Sequence, residues 1–173
     1  GNKYGTTTGF HHINLLNVPQ LDIRCEYARL RPFTYSHKNP LTSYYHFSTI
    51  LGHWIGPNAD ILLGDLSYRF SYRTLFRIQI ERLRQGENTP LLNVGGDANI
   101  PHESLSEDEN APFLAGILES SSRIRLKLSY EPLRNLFLQL EYSWTAYTSQ
   151  QPGDNEFNSG QRQEVVLGFS LNK

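Results

Sequence analysis

The chain has 173 residues, a formal net charge of -1 and a mean hydropathy of -0.48. Near-neutral charge provides no strong field to attract nucleic acid, and the lack of any apolar run of about 18 residues excludes a transmembrane helix. A membrane β-barrel is compatible with this composition, because its strands alternate polar and apolar residues. A single cysteine excludes an internal disulfide, and the absence of methionine is expected of a processed or truncated chain.

Alternation of apolar and polar residues with a period of two, the pattern typical of β-strands, recurs along the chain. In chain order the alternating runs lie near residues 10–16, 21–27, 62–70, 76–80, 123–130, 136–144 and 163–171, the first being the weakest. The clearest run places Ile124, Leu126 and Leu128 on one face. The predicted strands reach about ten residues, close to the length that crosses a bilayer at a tilt.

Predicted connections alternate between short and long. Short turns are predicted at 17–20, 71–73 and 131–135, and long polar loops at 36–59, 88–118 and 150–161. Outer-membrane barrels have this arrangement, with short periplasmic turns and long extracellular loops. Seven strands whose first runs inward leave an odd count, whereas bacterial barrels are even. We therefore expect an all-β, antiparallel transmembrane β-barrel, or a seven-strand C-terminal portion of a larger one.

Two segments carry a resemblance to a known family. Residues 26–37 read EYARLRPFTYSH, and residues 51–60 read LGHWIGPNAD. Both resemble the C-terminal third of the Wzi family of outer-membrane capsule assembly proteins. The resemblance implies a barrel of about eighteen strands, within the known range for such barrels, over half of it outside this chain. It also implies lectin-like, non-enzymatic holding of capsular or exopolysaccharide at the cell surface.

The segment from Gly52 to Asn58 is the most specific local feature, because two glycines and a proline in it predict a defined backbone geometry. One interpretation is a polysaccharide contact, with Trp54 stacking on sugar rings and His53 and Asn58 bonding to hydroxyls. The other is a structural loop folded against the barrel or into its lumen.

Tyr44 and Tyr45 lie in the same predicted loop and suit either sugar stacking or burial within the loop. His37, His46 and His53 lie there too, but their spacing matches no metal site. No nucleophile or metalloprotease motif occurs in the chain. The sequence therefore predicts no catalytic residue, no metal and no cofactor.

The polar strand faces carry charges of both signs, which we expect to line the lumen. The members singled out are Asp65, Glu81, Arg123, Arg125, Lys127 and Glu141. Near balance favours ion pairing across the interior. The alternative is a channel or porin in which the three bases on one strand line a path for an acidic polymer.

Four arginines follow the apolar strand faces in phase and are predicted to face outward at the extracellular rim. They are Arg29, Arg31, Arg82 and Arg84. We hypothesise that they form a collar that binds lipopolysaccharide phosphates, unless a bulge turns them inward. The expected partners are therefore outer-membrane lipid and surface polysaccharide. A third hypothesis, a structural subunit of an envelope complex, would add protein partners.

Overall fold

The computed structural model describes residues 3–36, 45–46, 49–100, 106–107, 110–154 and 156–171, with side chains omitted at 45–46, 49–50 and 106–107. Across these ranges the chain is all-β. Its strands are β1 (Gly5–His12), β2 (Leu21–Leu30), β3 (Tyr45–His46), β4 (Thr49–Ile50), β5 (Ala59–Ser71), β6 (Thr74–Glu87), β7 (Leu92–Asn93), β8 (Ser106–Glu107), β9 (Ile117–Leu133), β10 (Leu136–Gln150) and β11 (Asn158–Leu171).

Seven of these strands form one open antiparallel sheet in the order β1-β2-β5-β6-β9-β10-β11. Each strand pairs with the long strand before and after it in sequence, so the sheet is a meander. The fold class predicted from the alternation is confirmed, as an open sheet consistent with part of a barrel. The remaining strands pair as β3 with β4 and β7 with β8.

The strand register keeps residues of like character in rows across the sheet. One row runs through Asp65, Gln79 and Arg125, whereas the adjacent row carries Ile80 and Ile124. The sheet therefore has two faces. We call the face with Asp65, Gln79 and Arg125 the polar face, and the face with Ile80 and Ile124 the apolar face. The period-two alternation of the sequence is retained without a change of phase from β5 to β9.

The connections sort by length to the two ends of the sheet. Those at 72–73 and 134–135 are tight, and that at 13–20 includes a short 3-10 turn. At the opposite end the connections span 31–58, 88–116 and 151–157. We call these the turn end and the loop end. The tight turn at 134–135 is shorter than predicted because β9 continues to Leu133.

The first strand does not lie where the sequence predicted it. The prediction at 10–16 is wrong in position, because β1 ends at His12 and the following apolar residues form a turn. Leu16 has a φ of 53°, a left-handed conformation that ends any strand. β1 reads GTTTGFHH, in which Phe10 is the one large apolar residue, so the apolar periodicity that marked the other strands is missing.

The sheet is a single layer whose apolar face is exposed along most of its length. Val165, Leu167 and Phe169 of β11 are among the most exposed residues of this face. A water-soluble fold would cover such a face with a second layer. Among the described residues, no helix is long and apolar enough to cross a bilayer.

Buried residues concentrate at the loop end instead of along the middle of the strands. Ala28, Leu30, Ala59 and Ile61, all on the polar-face side of β2 and β5, form a core with Ile55 from the preceding loop. The described end of this connection, residues 51–58, therefore folds back over the polar face. This packing positions the segment that the sequence singled out.

Candidate functional site

The segment from Gly52 to Asn58 is fixed to the sheet from several sides. Ile55 is buried in the core of the loop end. The backbone N–H of His53 donates to the Tyr35 hydroxyl at 2.8 Å. The Tyr35 ring lies so close to Gly52 that a Cβ there would come within 2.3 Å of its Cζ atom, so a residue with a side chain would displace the ring. The defined geometry predicted for this segment is present.

Asn58 joins two of the long connections and the loop end of β6 at one point. Its Nδ2 donates to the carbonyl oxygens of Gly86 and Ala115 at 2.8 and 3.0 Å, and its Oδ1 accepts from the Leu114 N–H at 2.8 Å. The residue is 0% exposed and has a φ of 53°, which asparagine tolerates better than most residues. Both amide atoms are occupied by the protein, so the interpretation of Asn58 as a sugar-binding residue is corrected to a structural role.

Trp54, in contrast, is directed outward from this rigid segment. It is 61% exposed, and its ring stacks on that of His53 with centroids 6.1 Å apart and planes inclined by 22°. Aromatic side chains normally bury most of their surface. An exposed tryptophan backed by an imidazole on a clamped backbone is a preformed flat surface, the kind on which a sugar ring can stack.

Several predicted residues cannot be placed. Tyr44 and His37 lie outside the described residues, and for Tyr45 and His46 only the backbone is described. Within the described ranges, no cluster of three or more His, Cys, Asp or Glu side chains is arranged to hold a metal ion. Of the predicted contact residues in this loop, His53, Trp54 and Asn58 lie within the described residues with their side chains.

The predicted lumen charges lie together on the polar face, and most are paired. Arg123 contacts Glu81 at 3.4 Å, and Arg125 contacts Glu141 at 3.0 Å. Asp65 lies 3.6 Å from the Arg77 guanidinium and accepts from the Gln79 amide at 2.8 Å. Lys127 forms no ion pair within the part of the chain that the structure describes. Charge pairing of this kind fits the structural interpretation better than a row of free bases.

Tyr147 is a polar-face residue that the sequence did not single out for binding. Its ring covers Gly160 of the neighbouring strand, where a Cβ would come within 2.2 Å of the ring. It remains about half exposed and borders a cavity of about 430 Å³ lined also by Thr145, Arg162 and Glu164. The sequence offered no signal for this site, because the register that sets Gly160 opposite Tyr147 is known only from the structure.

The four collar arginines have unequal surroundings. Arg29, Arg82 and Arg84 lie on the apolar face at the loop end, as predicted, and no bulge reverses them. Arg84 forms a two-pronged ion pair with the buried carboxylate of Asp60. Arg31 lies just beyond the end of β2, with its guanidinium 5.8 Å from the Tyr4 ring centroid. Arg84 is therefore neutralised, and the positive charge of the group is smaller than the sequence suggested.

A meander of long strands with an exposed apolar face, a charged opposite face and loops gathered at one end has the features of outer-membrane β-barrel proteins. The chain belongs to the Wzi family, since the family model described as capsule assembly protein Wzi matches residues 2–160. The resemblance identified from residues 26–37 and 51–60 is thereby confirmed, and it assigns the chain to capsule assembly. No curated protein and no solved structure gives a significant match.

Proposed function

We propose that this chain contributes a polysaccharide-binding surface to a non-enzymatic outer-membrane protein, with the loop end outside the cell. Family membership supports capsule assembly as the setting. The observation that carries the binding proposal is Trp54, exposed and stacked on His53 at the tip of a clamped segment. Holding a polymer at the surface requires contacts of this kind and no bond-making chemistry.

The rigidity of the segment from Gly52 to Asn58 supports the binding proposal, in addition to the exposure of Trp54. A flexible aromatic would lose conformational entropy when a sugar immobilises it. Trp54 follows His53, whose N–H is held by Tyr35, and precedes the buried Ile55. The backbone on both sides is therefore fixed before ligand arrives, so little ordering accompanies binding.

Tyr147 provides a second aromatic surface at the same end of the sheet, on the polar face. Ser149 and Glu119 border a cavity beside it, of about 150 Å³. Hydroxyl and carboxylate groups around an aromatic ring are suited to sugar hydroxyls, because they accept and donate hydrogen bonds next to an apolar surface. We assign Tyr147 to the same polymer contact as a secondary surface.

The test is co-sedimentation of proteoliposomes that carry the purified protein with the host's own surface polysaccharide. We expect the Trp54→Ala variant to reduce bound polysaccharide at least fivefold, and Trp54→Phe to retain part of it. Tyr72→Ala is the matched control, because Tyr72 is an exposed aromatic at the turn end. Equal binding by Trp54→Ala and the control variant would contradict the assigned surface. No binding by the wild type would contradict the function.

A channel is the second candidate function, and the observation that favours it is the continuous polar face with its cavity beside Arg123 and Arg125. Both arginines are ion-paired, which leaves Lys127 as the base without an ion pair among those three residues. Planar-bilayer conductance tests this candidate directly. A current that changes its ion selectivity in Lys127→Glu would support a channel, and the absence of current would exclude it.

A further inference from the structure

Charged side chains interrupt the apolar face at the loop end. Arg29, Asp60 and Arg84 are direct neighbours in one register row across β2, β5 and β6. In the next row of this face towards the turn end, Leu62 and Arg82 are paired. Beyond these rows the same face carries exposed apolar side chains towards the turn end.

The change from charged to apolar side chains along this face indicates where the hydrocarbon layer of a membrane would end. An arginine in the middle of a bilayer is costly, whereas an arginine at the headgroup level has water and polar groups around it. Ile80 and Ile124, in the row beyond Arg82, are exposed and apolar. With that row in hydrocarbon, Arg82 and Arg29 lie at the height of the lipid headgroups of the loop-end leaflet.

The ion pair in the row determines which arginines remain available. Asp60 is buried and is held by Arg84 and by the Tyr27 hydroxyl at 3.1 Å, so that Arg84 is neutralised. Arg82 is exposed, and the described residues include no ion-pair partner for Arg82 or Arg29. The guanidinium of Arg29 stacks on the Phe113 ring, 3.7 Å from its centroid. Stacking fixes the guanidinium plane without using its N–H donors, and the buried Nε of Arg29 has no hydrogen-bond partner among the described residues.

We propose that Arg29 and Arg82 bind two phosphate groups of lipopolysaccharide in the outer leaflet. Guanidinium groups bind phosphate through paired N–H donors, which makes phosphorylated headgroups the anions of choice at this height. The two residues are two strands apart and two residues apart along the strands. Their backbones are therefore separated by about 12 Å. This separation suits a headgroup with two phosphates in preference to one with a single phosphate.

The test measures thermal unfolding of the purified protein in zwitterionic micelles, with bisphosphorylated lipopolysaccharide, its monophosphorylated form or its dephosphorylated form added. We expect the largest rise in Tm with the bisphosphorylated lipid and almost none with the dephosphorylated one. The double variant Arg29→Gln, Arg82→Gln is expected to lose more than half of that rise. Arg73→Gln with Arg134→Gln, at the turn end, is the matched control and keeps all of it.

Three results would overturn the proposal. The first is a full rise in Tm in the Arg29 and Arg82 double variant. The second is a rise in Tm with dephosphorylated lipid equal to that with the bisphosphorylated lipid. The third is an equal rise in Tm with a soluble anion, either inorganic phosphate or lipid-free acidic polysaccharide. Should the double variant fail to fold, the wild type still decides, because the lipid-dependent rise must shrink as salt is raised. Polysaccharide co-sedimentation by the double variant is expected to be unchanged, which separates this site from the Trp54 surface.

Discussion

The Nδ2 atom of Asn58 lies 2.8 Å from the carbonyl oxygen of Gly86, joining the end of one long connection to the loop end of β6. The backbone N–H of Gly86 donates in return to the Asn58 carbonyl at 2.9 Å. With the bonds to Leu114 and Ala115, this single asparagine holds together the start of β5, the end of β6 and the start of β9. The loop end is therefore organised by polar contacts to backbone as well as by its small apolar core.

Asn58→Ala should be strongly destabilising, because it leaves the buried Gly86 carbonyl and the part-buried Ala115 carbonyl and Leu114 N–H without their partner. We expect a loss of about 2–4 kcal/mol in the free energy of unfolding, measured by denaturant titration. Asn135→Ala is the control, because Asn135 has a similar φ of 66° in an exposed turn. Equal losses in both variants would show that backbone conformation, and not the three hydrogen bonds, is responsible.

Gly116→Ala tests the close packing of the same junction. A Cβ at Gly116 would lie 2.0 Å from the Glu87 carbonyl oxygen, and the residue has a φ of 91°. Strain and collision together should lower unfolding free energy by about 2–4 kcal/mol. Gly153 also has a positive φ but has no atom near its missing Cβ. Gly153→Ala should therefore cost only about 1–2 kcal/mol, and a larger effect there would refute the collision argument.

Glu87 gives the loop end a pH dependence. It is the last residue of β6 and lies at the loop end, beyond the row of Arg84. Burial, followed by the nearby carboxylates of Glu119 and Asp97, raises its pKa above the ordinary value of 4.5. The folded state thus binds the proton more tightly. Protonated Glu87 therefore contributes its full stabilisation of the folded state below about pH 4.5. This contribution is lost as the pH rises through the folded-state pKa of Glu87.

Glu87→Gln should accordingly raise Tm at pH 7 more than at pH 4, because the variant removes a charge that the folded state disfavours. Glu156→Gln, an exposed position in the 151–157 connection, is the comparison and should change Tm little at either pH. The measurement is thermal unfolding across the pH range. A destabilising effect of Glu87→Gln at pH 7 would show that the carboxylate makes a favourable contact.

The Arg84–Asp60 pair should respond asymmetrically to mutation. Arg84→Gln leaves a buried carboxylate without its cation, whereas Asp60→Asn leaves a half-exposed guanidinium that water can reach. We expect Arg84→Gln to cost more unfolding free energy, by about 1–2 kcal/mol. A double-mutant cycle measures the coupling. A larger loss in Asp60→Asn than in Arg84→Gln would contradict the argument that the buried carboxylate sets the asymmetry.

Strand identity and facing were predictable from sequence, because a period of two is local information. Leu126 and Leu128 alternate with Arg125 and Lys127 in the sequence as they do in the sheet. The Asn58 contacts were not predictable, because Gly86 and Ala115 lie far along the chain and nothing in the local sequence marks them. Likewise, the neutralisation of Arg84 depends on which residue β5 brings opposite it. The sequence therefore overestimated the positive charge that the four collar arginines present.

The exposed Trp54 lay within a segment that the sequence did single out, yet its neighbour Asn58 in the same segment has the opposite role. Glycine and proline content predicted a fixed backbone correctly. It did not determine which side chains point inward. That distinction depends on the core around Ile55, whose partners Ala28 and Ile61 come from two different strands.

The consecutive strand order has a consequence for assembly. Each long strand pairs with its nearest long neighbour in sequence, so each new strand adds as the second arm of a hairpin. No connection needs to pass another strand or wait for a distant partner, and loop-closure costs stay low. The sheet can therefore grow from either edge by successive hairpins, with the Asn58 junction closing only after β9 has arrived.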